Sequence, residues 1–257
     1  MTLTEIKKIL AERGLNPLKH FGQNFLFDQN LCRWIIAQLR TPAPGPILEI
    51  GPGLGALTGF LLAGGYHVHT LEIDRGLAAY LRERFGRQKS FSLVEGDALE
   101  TLPQQGPFPV ILGNLPYNIS TPLVATLLMR DHLPQECLFT LQKEVGHRFA
   151  ASPGTADYGA ISILLQAYYQ VEILKTLPGN VFFPEPDVHS VVVRFTLHNI
   201  PDLPKPDREP FYALLRKAFT QRRKKLRNTT GIESDRRPQE LSVDEWIRLY
   251  KKIQDAG

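Results

Sequence analysis

Short apolar runs alternate with helical spacing through the first half of the chain. Residues 47–50, 67–73, 91–94 and 110–112 read as strands, since each run is short and bounded by Gly, Asp or Pro. Between them, residues 56–62 and 76–85 carry helical spacing. Strand and helix in alternation predict a parallel, doubly wound α/β sheet. A helix over 121–130, a strand over 138–141 and a helix over 161–169 follow. Residues 171–174 and 191–195 then predict a closing antiparallel pair. At the N-terminus, residues 2–10 form a short amphipathic helix opened by a Thr2/Glu5 capping box.

Pro201, Pro204, Pro206 and Pro210 punctuate the next ten residues, which reads as a linker. Beyond it Phe211, Leu214, Leu215, Ala218 and Phe219 recur at helical spacing. A last helix starts near Ser242, where Ser242 and Glu245 form a Ser-x-x-Glu signal, and runs to about Lys252. The expected division is an α/β domain over 1–200 and a small all-helical C-terminal domain over 201–257.

Composition narrows the setting. A chain of 257 residues with 43% hydrophobic content supports a sizeable core, and no run of eighteen apolar residues predicts a membrane helix. The N-terminus lacks the apolar stretch of a secretory signal. Cys32 and Cys137 lie far apart without metal-ligand spacing, so neither a disulfide framework nor a metal site is expected. A cytoplasmic monomer is the resulting expectation. The net charge of +4 is mild, but its distribution is not. Seven cations (Arg216, Lys217, Arg222, Arg223, Lys224, Lys225 and Arg227) fall between 216 and 227 with no acid among them. A one-sign cluster at the far end of a helix predicts a polyanion partner.

The chemistry gathers at strand ends. Glu49-Ile50-Gly51-Pro52-Gly53-Leu54-Gly55 sits at a strand-to-helix turn, where glycines let a ligand approach the backbone. Its GxGxG spacing differs from the GxGxxG of dinucleotide sites, and Pro52 removes a backbone donor that a pyrophosphate would use. A sulfonium-bearing tail needs no such donor and suits a nearby carboxylate such as Glu49. Glu72 ends the next strand, 21 residues after Gly51, where an acid can take ribose hydroxyls. Asp97 follows the third strand and can accept from an adenine amine. Asn114-Leu115-Pro116-Tyr117 follows the fourth, placing an amide and an aromatic face where open α/β sheets bind ligands. An amide oxygen and a stacking ring suit a purine amine held for attack.

Taken together these residues resemble the KsgA/RsmA family of bacterial small-subunit (16S) rRNA adenine dimethyltransferases. The resemblance covers nearly the whole chain. Besides the glycine loop it is carried by Phe21-Gly22-Gln23-Asn24-Phe25-Leu26, Glu72-Ile73-Asp74, Gly96-Asp97-Ala98 and Asn114-Leu115-Pro116-Tyr117-Asn118-Ile119-Ser120. It continues through Gln142-Lys143-Glu144-Val145, Asp157-Tyr158-Gly159, the run from Phe182-Phe183-Pro184 to Ser190, and Arg222-Arg223-Lys224-Lys225-Leu226-Arg227-Asn228. Asp187 and His189 depart from the family's usual Lys and Asp, altering charge at that loop.

The resemblance implies a Rossmann-like S-adenosyl-L-methionine-dependent methyltransferase sheet and dimethylation of N6 on two adjacent adenosines near the 3′ end of 16S rRNA in the immature 30S subunit. It also implies roles. Asn24 and Leu26 would cover the cofactor, Gly51 with Gly53 its methionine portion, Glu72 its ribose and Asp97 its adenine. Asn114 would bridge cofactor and target base, and Leu115, Tyr117 and Phe182 would hold the base with it. Arg222, Arg223, Lys224, Lys225 and Arg227 would bind RNA. Open alternatives are an Erm-type large-subunit enzyme, a DNA adenine methyltransferase, a nicotinamide oxidoreductase, and an assembly factor that mainly binds RNA.

Overall fold

The computed structural model describes residues 1–18, 22–116, 118–198 and 203–255. Its centre is a seven-stranded sheet of β2 (Pro46–Ile50), β3 (His67–Glu72), β4 (Phe91–Glu95), β5 (Val110–Asn114), β6 (Glu136–Gln142), β7 (Tyr169–Leu177) and β9 (Ser190–Leu197). The strand order is β4-β3-β2-β5-β6-β9-β7. The first five run parallel, while β9 lies antiparallel between β6 and β7. The antiparallel pair seen in the sequence is therefore present, with its second strand in the interior. That position explains why Ser190 through Phe195 are buried on both faces of the pleat.

Alternate strand residues serve two cores. Leu48, Ile50, Ile111, Phe139 and Val193 face one cluster with α6 (Ser120–Leu128) and α8 (Ala160–Gln166). Ile47, Val68, Val110, Leu112 and Val192 face the other, with α2 (Gln29–Ala37) and α3 (Ala56–Ala63). A third, smaller cluster docks α1 (Leu3–Glu12) beside the sheet. Ile6 and Leu10 meet Phe25, Leu54, and Leu77 and Tyr80 of α4 (Arg75–Phe85). The Thr2/Glu5 capping box opens α1 as expected.

Two sequence expectations change. The helix expected over 161–169 ends at Gln166, and Tyr169 begins β7. The hydroxyls of Tyr168 and Tyr169 donate to the carbonyls of Leu203 and Pro134, at 2.9 and 2.8 Å, so tertiary anchors override the local pattern. The proline-rich linker is also shorter than expected, because α9 (Lys205–Phe219) starts inside it. Pro206 stands in the first turn, where backbone N–H groups have no intrahelical partner and a proline loses nothing. Arg208, buried there, donates to the carbonyls of Leu128 and Arg130 and ties α9 to the end of α6.

The C-terminal elements continue the first core. Phe211, Leu215 and Ala218 of α9, with Trp246 and Tyr250 of α10 (Val243–Asp255), belong to the cluster that also holds Leu164 and Val124. Sequence reading missed β1 (Phe25–Leu26) and β8 (Phe182–Phe183), which pair antiparallel as a separate two-stranded sheet. Two-residue strands carry no periodicity to read. Also unforeseen are α2, α5 (Ala98–Thr101) and α7 (Lys143–Phe149).

Candidate active site

The carboxyl ends of β2, β3, β4 and β5 open on one cavity of about 290 Å3. Asn24, Leu26, Gly51, Gly53, Glu72, Asp97 and Asn114 all line it, so the seven residues expected to contact a cofactor lie around a single space. Gly51 and Gly53 have φ of 63° and 58°, a region in which only glycine is unstrained. The Gly53 position is also crowded, since a Cβ there would stand 3.1 Å from the Phe25 ring.

Two carboxylates face this cavity from its floor. Glu72 is 4% exposed and accepts from the backbone N–H groups of Gly53 (3.1 Å) and Asp74 (3.0 Å), one on each oxygen. Burial raises its pKa to about 7 against the pull of those two donors. Glu49, 1% exposed, accepts a 2.6 Å hydrogen bond from the Thr58 hydroxyl. Burial pushes its pKa up to about 7 as well, with the charge of Glu72 adding to the rise. A cation placed in this cavity would favour the charged forms of both carboxylates. Asp97 caps α5, accepting from Leu99 N–H at 2.8 Å, and its side chain still reaches the cavity wall.

Asn114 ends β5 at the mouth. Its Nδ2 donates to the Asn24 carbonyl at 2.8 Å. A backbone carbonyl only accepts, so the amide must present its NH2 group to Asn24 and turn Oδ1 elsewhere. Gly113 brings this strand end close to β2: a Cβ there would stand 2.3 Å from the Ile50 carbonyl oxygen. The next residue, Leu115, is buried at 1% exposure and its N–H is held by the Thr140 carbonyl at 3.0 Å. The Asn-Leu-Pro turn is thus pinned on both sides. Tyr117 lies outside the described residues.

Phe182 is not brought to the cavity. It is 3% exposed and packs with Leu26, Leu31 and Leu177, its strand paired to β1. Its pairing with Leu26 is what buries it. It backs Leu26, a cavity-lining residue, rather than offering a free ring face.

The basic cluster is also arranged differently from the expected helix end. α9 stops at Phe219, and Arg222 through Lys225 lie in the turn that follows. Like charges three and four residues apart would repel on a helix. Arg222 donates to the carbonyls of Ala156 (2.6 Å) and Thr155 (3.2 Å). Lys225 and Arg227 share Asp235, at 3.1 and 2.8 Å. Arg223 and Lys224 stand exposed.

Sequence reading overlooked Gln23 and Asp74. Gln23 lines the cavity and donates to Asp74 Oδ2 at 3.1 Å, while Asp74 caps α4. The cap was legible as an acid just before a helix; its distant partner was not. Among the described residues no group of three or more His, Cys, Asp or Glu is placed to hold a metal ion. No helix among them is long and apolar enough to cross a membrane.

Comparison with known proteins agrees with this geometry. The family model described as ribosomal RNA adenine dimethylase matches residues 15–254. A ribosomal RNA small subunit methyltransferase A from Alcanivorax borkumensis is 42% identical over 248 residues, covering 90% of this chain and 88% of that protein. The crystal structure of a dimethyladenosine transferase from Plasmodium falciparum superposes with a TM-score of 0.80 at 23% identity, over 90% of this chain and 98% of that one. That of the 23S rRNA methyltransferase ErmE gives 0.67 at 24% identity, over 90% and 100%. The two structures share the α/β fold, and the match along residues 15–254 settles membership: this chain belongs to the ribosomal RNA adenine dimethylase family.

Proposed function

We propose that the protein is an S-adenosyl-L-methionine-dependent rRNA adenine N6-dimethyltransferase, acting in the cytoplasm as a monomer on two adjacent adenosines in a hairpin loop near the 3′ end of 16S rRNA. The observation that carries this reading is the Asn114 amide, held by the Asn24 carbonyl beside a cavity floored by Glu49 and Glu72. The donor set fits the cofactor. A sulfonium is a cation without hydrogen-bond donors, for which buried carboxylates suit and pyrophosphate-binding N–H groups do not. The Glu72 oxygens keep lone pairs for ribose hydroxyls after accepting from Gly53 and Asp74. When bound, S-adenosyl-L-methionine supplies the electrophilic methyl group.

In this reading Asn24 and Leu26 cover the cofactor, Gly51 and Gly53 line its methionine end, and Asp97 accepts from its adenine amine. Asn114 Oδ1 accepts one N–H of the target amine, and a carbonyl of the Leu115 turn accepts the other. An adenine N6 is a poor nucleophile because its lone pair is delocalised into the ring. Accepting both of its protons favours a pyramidal nitrogen with the lone pair freed for attack. Tyr117 stacks on the base and holds it in line, so positioning supplies much of the rate. No side-chain base is required, because an alkylated amine cation gives up its proton readily to water.

The target adenosine must leave its stack to reach this site, as in other base-modifying enzymes. Single-stranded loops are where RNA bases are read. The C-terminal helical part, 201–257, would grip the flanking phosphates through Arg223 and Lys224, with Arg222, Lys225 and Arg227 setting the shape of the turn. The small-subunit substrate is favoured over an Erm-type one by the name of the 42% identical relative.

A labelled methyl-transfer assay on undermethylated small ribosomal subunits, run beside large-subunit rRNA, tests the proposal. Dimethyladenosine in the small subunit alone is the expected product by nucleoside mass spectrometry. Label in large-subunit RNA, or at another base, would overturn it.

A further inference from the structure

We propose that Gln23 is a positioning residue that latches the N-terminal segment over the cofactor cavity. The inference rests on the proposed use of S-adenosyl-L-methionine. Gln23 Oε1 accepts from Leu18 N–H at 2.9 Å, and its Nε2 donates to Asp74 Oδ2 at 3.1 Å. Leu18 N–H can only donate and a carboxylate can only accept, so both ends of the amide are assigned without ambiguity. The bond to Asp74 is the charge-assisted kind, stronger than a neutral one.

Asp74 is not an isolated anchor. Its other oxygen accepts from Gly76 and Leu77 N–H, capping α4, and its own N–H donates to Glu72 Oε1. A single chain of hydrogen bonds therefore runs from Leu18 through Gln23 and Asp74 to Glu72. The cavity-lining strip Gly22–Leu26 is held at one end by this chain and at the other by the β1–β8 pairing. Nearby packing agrees: Leu15 occupies the space beside Gly76, where a Cβ would stand 2.3 Å from its Cδ2. Arg13 pairs with Glu83 of α4 at 2.8 Å. The segment is thus docked along α4 through Arg13, Leu15 and Gln23, and Gln23 is the one beside the site.

Gln23 therefore sets how firmly the cavity is closed without taking part in methyl transfer. Gln23→Glu sets two carboxylates against each other and opens the latch. The double variant Gln23→Glu/Asp74→Asn restores it. The amide introduced at position 74 can still cap α4 through its oxygen while its NH2 group donates to the new carboxylate. The same carboxylate accepts from Leu18 as before.

Calorimetric titration with S-adenosyl-L-methionine and amide hydrogen exchange at Leu18 in the free protein provide the test. Gln23→Glu should weaken binding roughly tenfold and speed Leu18 exchange, as expected when one charge-assisted bond is removed. KM for the cofactor should rise with it, while kcat at saturation stays within about twofold. The double variant should recover both readouts. Unchanged affinity and exchange in Gln23→Glu, or a defect that the double variant fails to reverse, would overturn the latch alone. Failure of the wild-type protein to bind S-adenosyl-L-methionine would overturn the proposed function together with it.

Discussion

The Nδ2 atom of Asn114 donates to the backbone carbonyl of Asn24 at 2.8 Å, across 90 residues of sequence. This contact orients the amide by chemistry alone, since the carbonyl has no proton to give. It also joins the wall of the cavity to the residue proposed to hold the target. The amide is aimed from the Asn24 end of the strip, whereas the Gln23 contact to Asp74 holds the strip from its other side.

The two buried carboxylates predict a pH signature. Glu49 and Glu72 have pKa values of about 7, above the usual carboxylate 4.5, because burial disfavours their charged forms. In the free protein the folded state keeps protons that the unfolded chain has lost, so these groups contribute stability below about pH 4.5 that fades as pH climbs through about 7. A bound cation reverses the preference. Cofactor binding should release protons, and affinity should rise between about pH 6 and 8. Calorimetry in buffers of different ionisation enthalpy measures the release directly. Glu49→Gln should reduce it; binding without proton release would refute the cation-holding role.

Gly113 predicts a packing cost. A methyl group added there meets the Ile50 carbonyl at 2.3 Å, which a central strand cannot relieve without shifting β5 from β2. Gly113→Ala should destabilise the fold by about 2 kcal/mol, the scale of an overpacked core. Urea unfolding gives the value. Loss of turnover beyond the loss of folded protein would report the accompanying displacement of Asn114.

The basic turn predicts a graded salt dependence. Arg223 and Lys224 are exposed, whereas Lys225 and Arg227 are engaged with Asp235. Replacing Arg223 and Lys224 with Ala should lower the slope of log K for RNA against log salt by about 0.7 for each phosphate no longer neutralised. Lys225→Ala should change it less. An equal slope in the Arg223/Lys224 variant, from filter binding over a range of salt, would remove this turn from RNA recognition.

What could be read in the sequence was local. Strand ends, the glycine turn and the acids beyond them are written in consecutive residues. Gly51, Glu72, Asp97 and Asn114 meet because a parallel sheet aligns its carboxyl ends, with Asn24 added from the strip before β1. Long-range pairings left no such trace. The β1–β8 sheet joins strands of two residues each, and Gln23 meets Asp74 across 51 residues. Phe182 marks the same limit. Its aromatic character was evident, but its burial depends on pairing with Leu26, far away in the sequence. Pro206 and Pro210 looked like a linker because clustered prolines punctuate a chain, yet Pro206 stands in the first turn and Pro210 inside the helix that Arg208 anchors.

In the proposed mechanism the Asn114 amide oxygen prepares the target amine. Single-turnover methyl transfer by Asn114→Ala, set beside calorimetric affinity for S-adenosyl-L-methionine, tests it most directly. The expected result is a rate loss of at least about 100-fold, the scale of a missing transition-state hydrogen bond, with cofactor affinity within a few-fold of wild type. An undiminished rate, or a rate loss matched by an equal loss of cofactor affinity, would contradict it.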